Sequence, residues 1–185
     1  MPNRNHVAAE TLLGTLRAHG LTDVVVSPGS RNTPLAYAAG TIDGLTVHSI
    51  LDERSAGFAA IGMAKAPDTP VALICTSGTA VANLHPAVVE ADYSGVPLIL
   101  LTADRPVELR GVGASQTIDQ AGIFGESVRA DWDIAAPESG SAEVIGRWSQ
   151  RGREAVAWAV RHAGPVHLNL AFREPLVGRV PELAI

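Results

Sequence analysis

Residues 23–34 read Asp23-Val24-Val25-Val26-Ser27-Pro28-Gly29-Ser30-Arg31-Asn32-Thr33-Pro34, and this stretch decides the fold. Three successive valines make an unbroken apolar run, the pattern of a strand covered on both faces rather than one alternating between core and solvent. The run stops at a cluster of turn formers, and Pro34 opens a short helical segment over 34–39. Strand, tight turn and helix together make one β-α unit.

The pattern repeats in both directions. On the N-terminal side Val7, Leu12, Leu13 and Leu16 fall at helical spacing over 7–19, and Gly20 is a stop signal. On the C-terminal side a strand over 45–50 precedes a helix over 53–66, whose Ala56, Gly57, Ala59, Ala60, Gly62 and Ala64 permit close packing. Val71-Ala72-Leu73-Ile74-Cys75 is a further strand, and Thr76-Ser77-Gly78-Thr79 opens a helix running to about residue 93. A strand over 97–102, a polar loop over 103–116, a short helix over 118–124 and a weaker strand over 128–131 follow. Ile145, Trp148, Ala155 and Ala159 mark a late helix, and Pro165-Val166-His167-Leu168-Asn169-Leu170 marks the last strand. Trp148 and Trp158 read as core or interface packing, and the tail from residue 173 as a departing linker. Strands alternating with helices predict an α/β fold built on a parallel sheet.

Composition narrows the class of protein. With 185 residues the chain fits one domain. Hydrophobic residues are 46% and charged residues 18%, a globular balance. A net charge of −5 with 4% aromatic residues argues against a nucleic-acid or membrane surface, so an acidic ligand would have to be met by locally placed arginines. A single cysteine, Cys75, excludes an intrachain disulfide and suits a reducing, cytoplasmic setting. The N-terminal residues lack the apolar core of a signal peptide, and no stretch reaches the length of a membrane span. The six histidines lack metal-ligand spacing.

In an open parallel sheet, ligands bind outside the carboxyl ends of the strands. Four segments lie there: 27–34, 52–54, 76–79 and 102–120. In the first, Arg31 can clasp a carboxylate through two parallel hydrogen bonds, with Ser30 adding a hydroxyl. The same residues also suit a purely structural turn, with Gly29 in a backbone shape closed to other residues and Asn32 or Thr33 capping the helix. In the second, Asp52 and Glu53 either complement a helix dipole or place Glu53 at an apolar wall, where it exchanges a proton with a ring nitrogen. The third lacks the lysine of a phosphate-binding loop and the dinucleotide fingerprint. Beyond it, Asn83 and His85 also read as ordinary surface residues. The fourth offers Arg105 and Gln116 on a long loop of the kind that is often functional.

The strings VVVSPGSRNTPLA, LDERSAGFAAIGMA, CTSGTAVANLHPAVVEA, LLTADRP, GASQTIDQ and GPVHLNLAFREPL follow one another along nearly the whole chain. In that order they resemble the pyrimidine-binding domain of thiamine-diphosphate enzymes. SPGSRN and TADRP resemble in particular the menaquinone-pathway synthases that decarboxylate 2-oxoglutarate and add the succinyl carbanion to isochorismate. The resemblance implies a three-layer open parallel sheet with helices on both faces, a pyrimidine-binding domain over 1–176 and the start of an interdomain linker over 177–185. Glu53 would protonate or hydrogen-bond N1′ of the aminopyrimidine. Pro28, Ser77, Gly78 and Asn83 would line the cofactor, and Ser30, Arg31, Arg105 and Gln116 the substrate. Where the family loop commonly reads GANQ this chain has Ser115, which therefore stays outside the substrate set.

No GDG motif occurs in the sequence. The resemblance accordingly implies that the diphosphate and a Mg²⁺ or Mn²⁺ ion are held by another domain on a partner subunit. It further implies a homodimer or homotetramer, and a fragment inactive by itself. Two alternatives stay open: another thiamine-diphosphate enzyme of acetolactate synthase or 2-oxoacid decarboxylase type, and a non-catalytic binding module on the same fold.

Overall fold

The computed structural model describes residues 3–65 and 69–178. Six strands form one sheet: β1 (Asp23–Val26), β2 (Thr46–Ser49), β3 (Val71–Cys75), β4 (Leu98–Asp104), β5 (Asp131–Ile134) and β6 (Val166–Ala171). Their order is β2-β1-β3-β4-β6-β5 and every pairing is parallel. β3, β4 and β6 are buried along their whole length, as unbroken apolar runs require. The edge strands β2 and β5 are largely open to solvent.

Alternate residues of one strand feed two cores. Val24 and Val26 pack with Ile74, Leu101 and Leu168 under α1 (Arg4–Ala18), α2 (Thr33–Thr41) and α6 (Ala142–Arg161), which contribute Leu12, Leu35 and Trp148. Val25, Leu73 and Leu100 pack on the opposite face under α3 (Glu53–Lys65), α4 (Thr79–Ala82) and α5 (His85–Ser94), through Ala60, Val81 and Val88. The three-layer open parallel sheet is thus the observed fold. Each fully buried leucine stabilises it by about 2–3 kcal/mol relative to exposure. No helix among the described residues is long and apolar enough to cross a membrane.

The chain leaves β1 toward β2 on one side and leaves β3 toward β4 on the other, so the adjacent carboxyl ends of β1 and β3 open a crevice at a reversal of strand order. That crevice is where the candidate loops meet.

Several boundaries differ from the sequence reading. The helix expected to run from 79 to about 93 is two, α4 and α5, because Pro86 has no amide to continue the ladder and stands in the first turn of the second. Residues 118–120 are irregular and 121–124 form turns, in place of a helix, leading to a 3-10 turn at Gly125–Ser127. Gly122 and Gly125 have φ of 71° and 53°, which an α-helix does not hold. The fifth strand occupies Asp131–Ile134 instead of 128–131, its limits set by pairing with His167 to Leu170 of β6. Trp148 is buried, whereas Trp158 is 42% exposed and lies 4.4 Å from the His162 ring at a tilt of 31°. The tail does not depart at 173. Asn5 Nδ2 donates to Arg173 O (2.7 Å), Asn3 Nδ2 donates to Pro175 O (2.8 Å), and Leu176 is buried, so this segment packs on α1 as far as Gly178. The rest of the expected linker, 179–185, and Ala66 at the end of the expected helix lie outside the described residues.

Candidate functional site

The turn after β3 is the hub. Ser77 is fully buried, and Gly78 has φ of 80°. A Cβ at Gly78 would stand 2.9 Å from Gln116 Cγ and 3.0 Å from Gln116 O, so both backbone shape and space demand glycine. Gln116, itself at φ 54°, clasps the turn: its Nε2 donates to Ser77 O (2.9 Å) while Ser77 Oγ donates to its carbonyl (3.2 Å). Arg105 Nη1 donates to Ser77 Oγ. The structure therefore brings Ser77, Gly78, Arg105 and Gln116 together from two loops, the turn after β3 and the long segment after β4.

The loop after β1 leans on the same turn. Gly29 is not at positive φ, contrary to expectation. Its need for glycine is steric, because a Cβ there would overlap the side chain of Thr76. Asn32 occupies the position before α2 but makes no side-chain cap. Its Nδ2 donates instead to Ser27 O (2.8 Å), and the Thr33 hydroxyl donates to Ser30 O (2.7 Å). Ser27 Oγ donates to Ile50 O (2.9 Å), tying this loop to the end of β2. Pro28 and Ser30 are exposed.

Arg31, expected as an open clasp, is nine-tenths buried. Its Nη1 donates to Phe172 O (2.9 Å) and its Nη2 pairs with Glu174 Oε1 (3.2 Å). Its Nε is buried with no partner among the described residues. Burial, and next the cation of Arg31, pull the Arg105 guanidinium below its ordinary value, while Asp104 and Glu174 act the other way. Two cations thus share one neighbourhood, which favours an additional anion there.

The two acids at the start of α3 divide their work. Asp52 caps the helix: its Oδ1 accepts from Ser55 N (2.7 Å), and hydrogen bonds from the Ser55 backbone and hydroxyl hold its carboxyl below the usual range. Glu53 is therefore not needed as the cap. It is half-buried in the first turn, and among the described residues its one hydrogen-bond partner is Asn83, whose Nδ2 donates to Oε2 (3.3 Å). Cys75 lies close enough that the Glu53 charge adds to burial in pushing its thiol upward, leaving an inert thiol. Glu53 and Asn83 form one pair, and the arginines form a second group.

Sequence reasoning missed Gln120, which is 1% exposed. Its Oε1 accepts from Gly78 N (3.0 Å), and its Nε2 donates to Asn169 Oδ1 (2.7 Å) and Ala103 O (2.9 Å). The signal was present in His167 and Asn169, polar residues on alternate positions of an otherwise apolar strand. A cleft of about 300 Å³ against α6, lined in part by Asp133, Arg147, Trp148 and Arg151, contains none of the candidate residues. Among the described residues no group of three or more His, Cys, Asp or Glu side chains is arranged to hold a metal.

The family model described as "Thiamine pyrophosphate enzyme, N-terminal TPP binding domain" matches residues 6–123, a span that holds every candidate residue from Pro28 to Gln116. The chain is similar to curated relatives named 2-succinyl-5-enolpyruvyl-6-hydroxy-3-cyclohexene-1-carboxylate synthase. The one from Thermobifida fusca (strain YX) is 53% identical over 178 residues, covering 95% of this chain and 32% of the relative. The one from Chloroflexus aurantiacus (strain ATCC 29366 / DSM 635 / J-10-fl) is 57% identical over 163 residues, covering 88% and 27%. The one from Geobacillus kaustophilus (strain HTA426) is 50% identical over 176 residues, covering 95% and 30%. The chain thus spans about a third of the length of these relatives. With this fold, and with a half-buried glutamate at the switch-point crevice, the chain belongs to the thiamine pyrophosphate enzymes and carries their N-terminal TPP-binding domain.

Proposed function

We propose that this chain supplies one half of the active site of a menaquinone-pathway synthase. That enzyme decarboxylates 2-oxoglutarate and transfers the remaining four-carbon unit to isochorismate. The observation that carries this reading is Glu53, a half-buried carboxylate whose helix is capped by another residue and whose Oε2 is held by Asn83. Such a group fits the aminopyrimidine of thiamine diphosphate, because one oxygen is oriented by an amide and the other can hold a proton on a ring nitrogen. When bound, the cofactor supplies the electron sink for the decarboxylation.

This chain's residues bind and orient around that centre. Pro28, Ser77, Gly78 and Asn83 wall the ring, and the missing Cβ of Gly78 lets that turn close on Gln116. Both substrates carry two carboxylates. Arg31 and Arg105 supply the positive charge for them, with the hydroxyl of Ser30 and the amide of Gln116 as neutral partners. The unpartnered Nε of Arg31 supports an acceptor arriving from outside the chain. The diphosphate and a Mg²⁺ or Mn²⁺ ion belong to a diphosphate-binding domain on a partner subunit, in a cytoplasmic homodimer or homotetramer. The far greater length of the relatives supports that division.

The test is Glu53→Gln in the full-length protein. Turnover of 2-oxoglutarate with isochorismate should fall by about 10²–10⁴-fold while folding stability is retained. Unchanged turnover would sink the assignment. Pyruvate accepted in place of 2-oxoglutarate, without need of isochorismate, would move the chain to an acetolactate synthase or decarboxylase.

A further inference from the structure

We infer that Gln120 is a positioning residue that fixes the geometry of the substrate-facing arginine and glutamine without touching a ligand itself. The inference rests on the proposed site. Gln120 is 1% exposed, so a ligand in the crevice does not reach it. Its two ends are chemically distinct and each is committed. Oε1 takes the Gly78 amide (3.0 Å), and Nε2 faces three oxygens, Asn169 Oδ1 (2.7 Å), Ala103 O (2.9 Å) and, more distantly, Thr102 Oγ1 (3.4 Å). Reversing the amide would set donor against donor and oxygen against oxygens, so one orientation is dictated.

Those contacts reach the site through short covalent paths. Gly78 follows Ser77, whose hydroxyl receives Arg105 and whose carbonyl receives Gln116 (2.9 Å). Ala103 lies two residues before Arg105. Asn169 donates through Nδ2 to Asp104 Oδ2 (2.9 Å), while Asp104 Oδ1 accepts the Arg105 amide (2.7 Å). One buried amide therefore joins the β3 turn, the end of β4 and the long loop, and sets where the Arg105 guanidinium and the Gln116 amide stand. Gly78 at φ 80° does not hold this shape unaided, since glycine in a free chain samples many others.

The experiment compares full-length wild type with Gln120→Met and Gln120→Glu. In the cofactor-free protein, exchange at the Gly78 amide should rise about tenfold in Gln120→Met, because its acceptor is gone. In the loaded enzyme the KM for 2-oxoglutarate or isochorismate should rise about tenfold with kcat within about threefold, the mark of lost positioning of binding groups. Gln120→Glu adds a pH signature. A neutral carboxyl keeps an acceptor for Gly78 and one O–H for Asn169 or Ala103, one donor fewer than the amide, whereas a carboxylate offers only acceptors and repels both the Ala103 and Asn169 oxygens. Its KM should lie closer to wild type at low pH and climb as the carboxyl ionises, on a profile wild type lacks. Wild-type Gly78 exchange and KM in Gln120→Met would overturn the inference. Should that variant fail to fold, a KM in Gln120→Glu that tracks wild type at every pH overturns it. If wild type itself shows no turnover with the two substrates, the functional reading fails, and Gly78 exchange still decides the role of Gln120.

Discussion

Around β1 and β3 the strands are apolar to their last residues, and the chemical groups hang on loops beyond them. Around β4, β6 and β5 the polar groups run inward instead. Val24, Val25, Leu73 and Ile74 have no hydrogen-bonding side chain, and Glu53, Asn83 and Ser30 sit outside that packing. In the other half His167 and Asn169 are fully buried. His167 Nδ1 lies 2.7 Å from Asp131 Oδ2 and its Nε2 lies 2.7 Å from Thr102 Oγ1. Asn169 Nδ2 donates to Asp104 and Asp133, both at 2.9 Å. Arg110 closes the group by pairing with Asp104 (2.9 Å) and Asp133 (2.7 Å). Packing in the first half is non-directional, so a loop residue can change while the scaffold stands. A satisfied polar network in low dielectric behaves as a unit, and the loss of one member strands the others.

The largest expected effect sharpens that contrast. Glu53→Gln should lower turnover by about 10²–10⁴-fold while the thermal midpoint stays near wild type, since Asp52 and not Glu53 caps the helix. A large fall in midpoint would show that chemistry and scaffold are not separable there. In the polar half Asn169→Leu should destabilise by about 3 kcal/mol, because Asp104, Gln120 and Asp133 each lose a partner. A denaturant titration giving less than about 1 kcal/mol would break the idea of a cooperative network.

Glycines supply a smaller, signed pair. Gly78→Ala should cost about 1–3 kcal/mol through positive φ and the approach to Gln116. Gly62→Ala on α3, where an added Cβ meets nothing within 4 Å, should stabilise by about 0.5–1 kcal/mol. Calorimetry of both variants reads the difference.

The smallest effect concerns the exposed ion pair of Arg173 with Glu108, which ties the C-terminal segment to the loop after β4. Hydrogen bonds from Arg173 pull the Glu108 carboxyl from 4.5 to about 2. A carboxyl lowered in the folded state contributes fully above its ordinary value and loses that contribution as pH falls through the lowered one. The protection of amides over residues 172–178, taken relative to the intrinsic exchange rate at each pH, should therefore fall as pH drops from 4.5 to 2. Protection unchanged across that window would show the pair to be without effect, as many surface pairs are.

Strands β1 and β3 were legible to the residue, because unbroken apolar runs bounded by turn formers are local signals. β5 was not, since an edge strand with half its residues exposed takes its limits from the partner. Read by itself, the start of α3 left Glu53 undecided between helix dipole and chemistry. Geometry separated the two acids by giving the capping bond to Asp52. Gln120 stood in the quoted string GASQTIDQ with no role to read, because its partners Gly78, Ala103 and Asn169 are scattered along the chain.

By itself, then, the sequence determined the succession of β-α units, the burial of the central strands and the chemical inventory of the four loops. Each of these depends on neighbours a few residues away. Tertiary structure alone decided which of those groups meet: Arg31 with Glu174, Gln116 with Ser77, and Gln120 with Gly78. A hydrogen bond between distant residues exists only once strand register has brought donor and acceptor within about 3 Å, and register is a property of the assembled sheet.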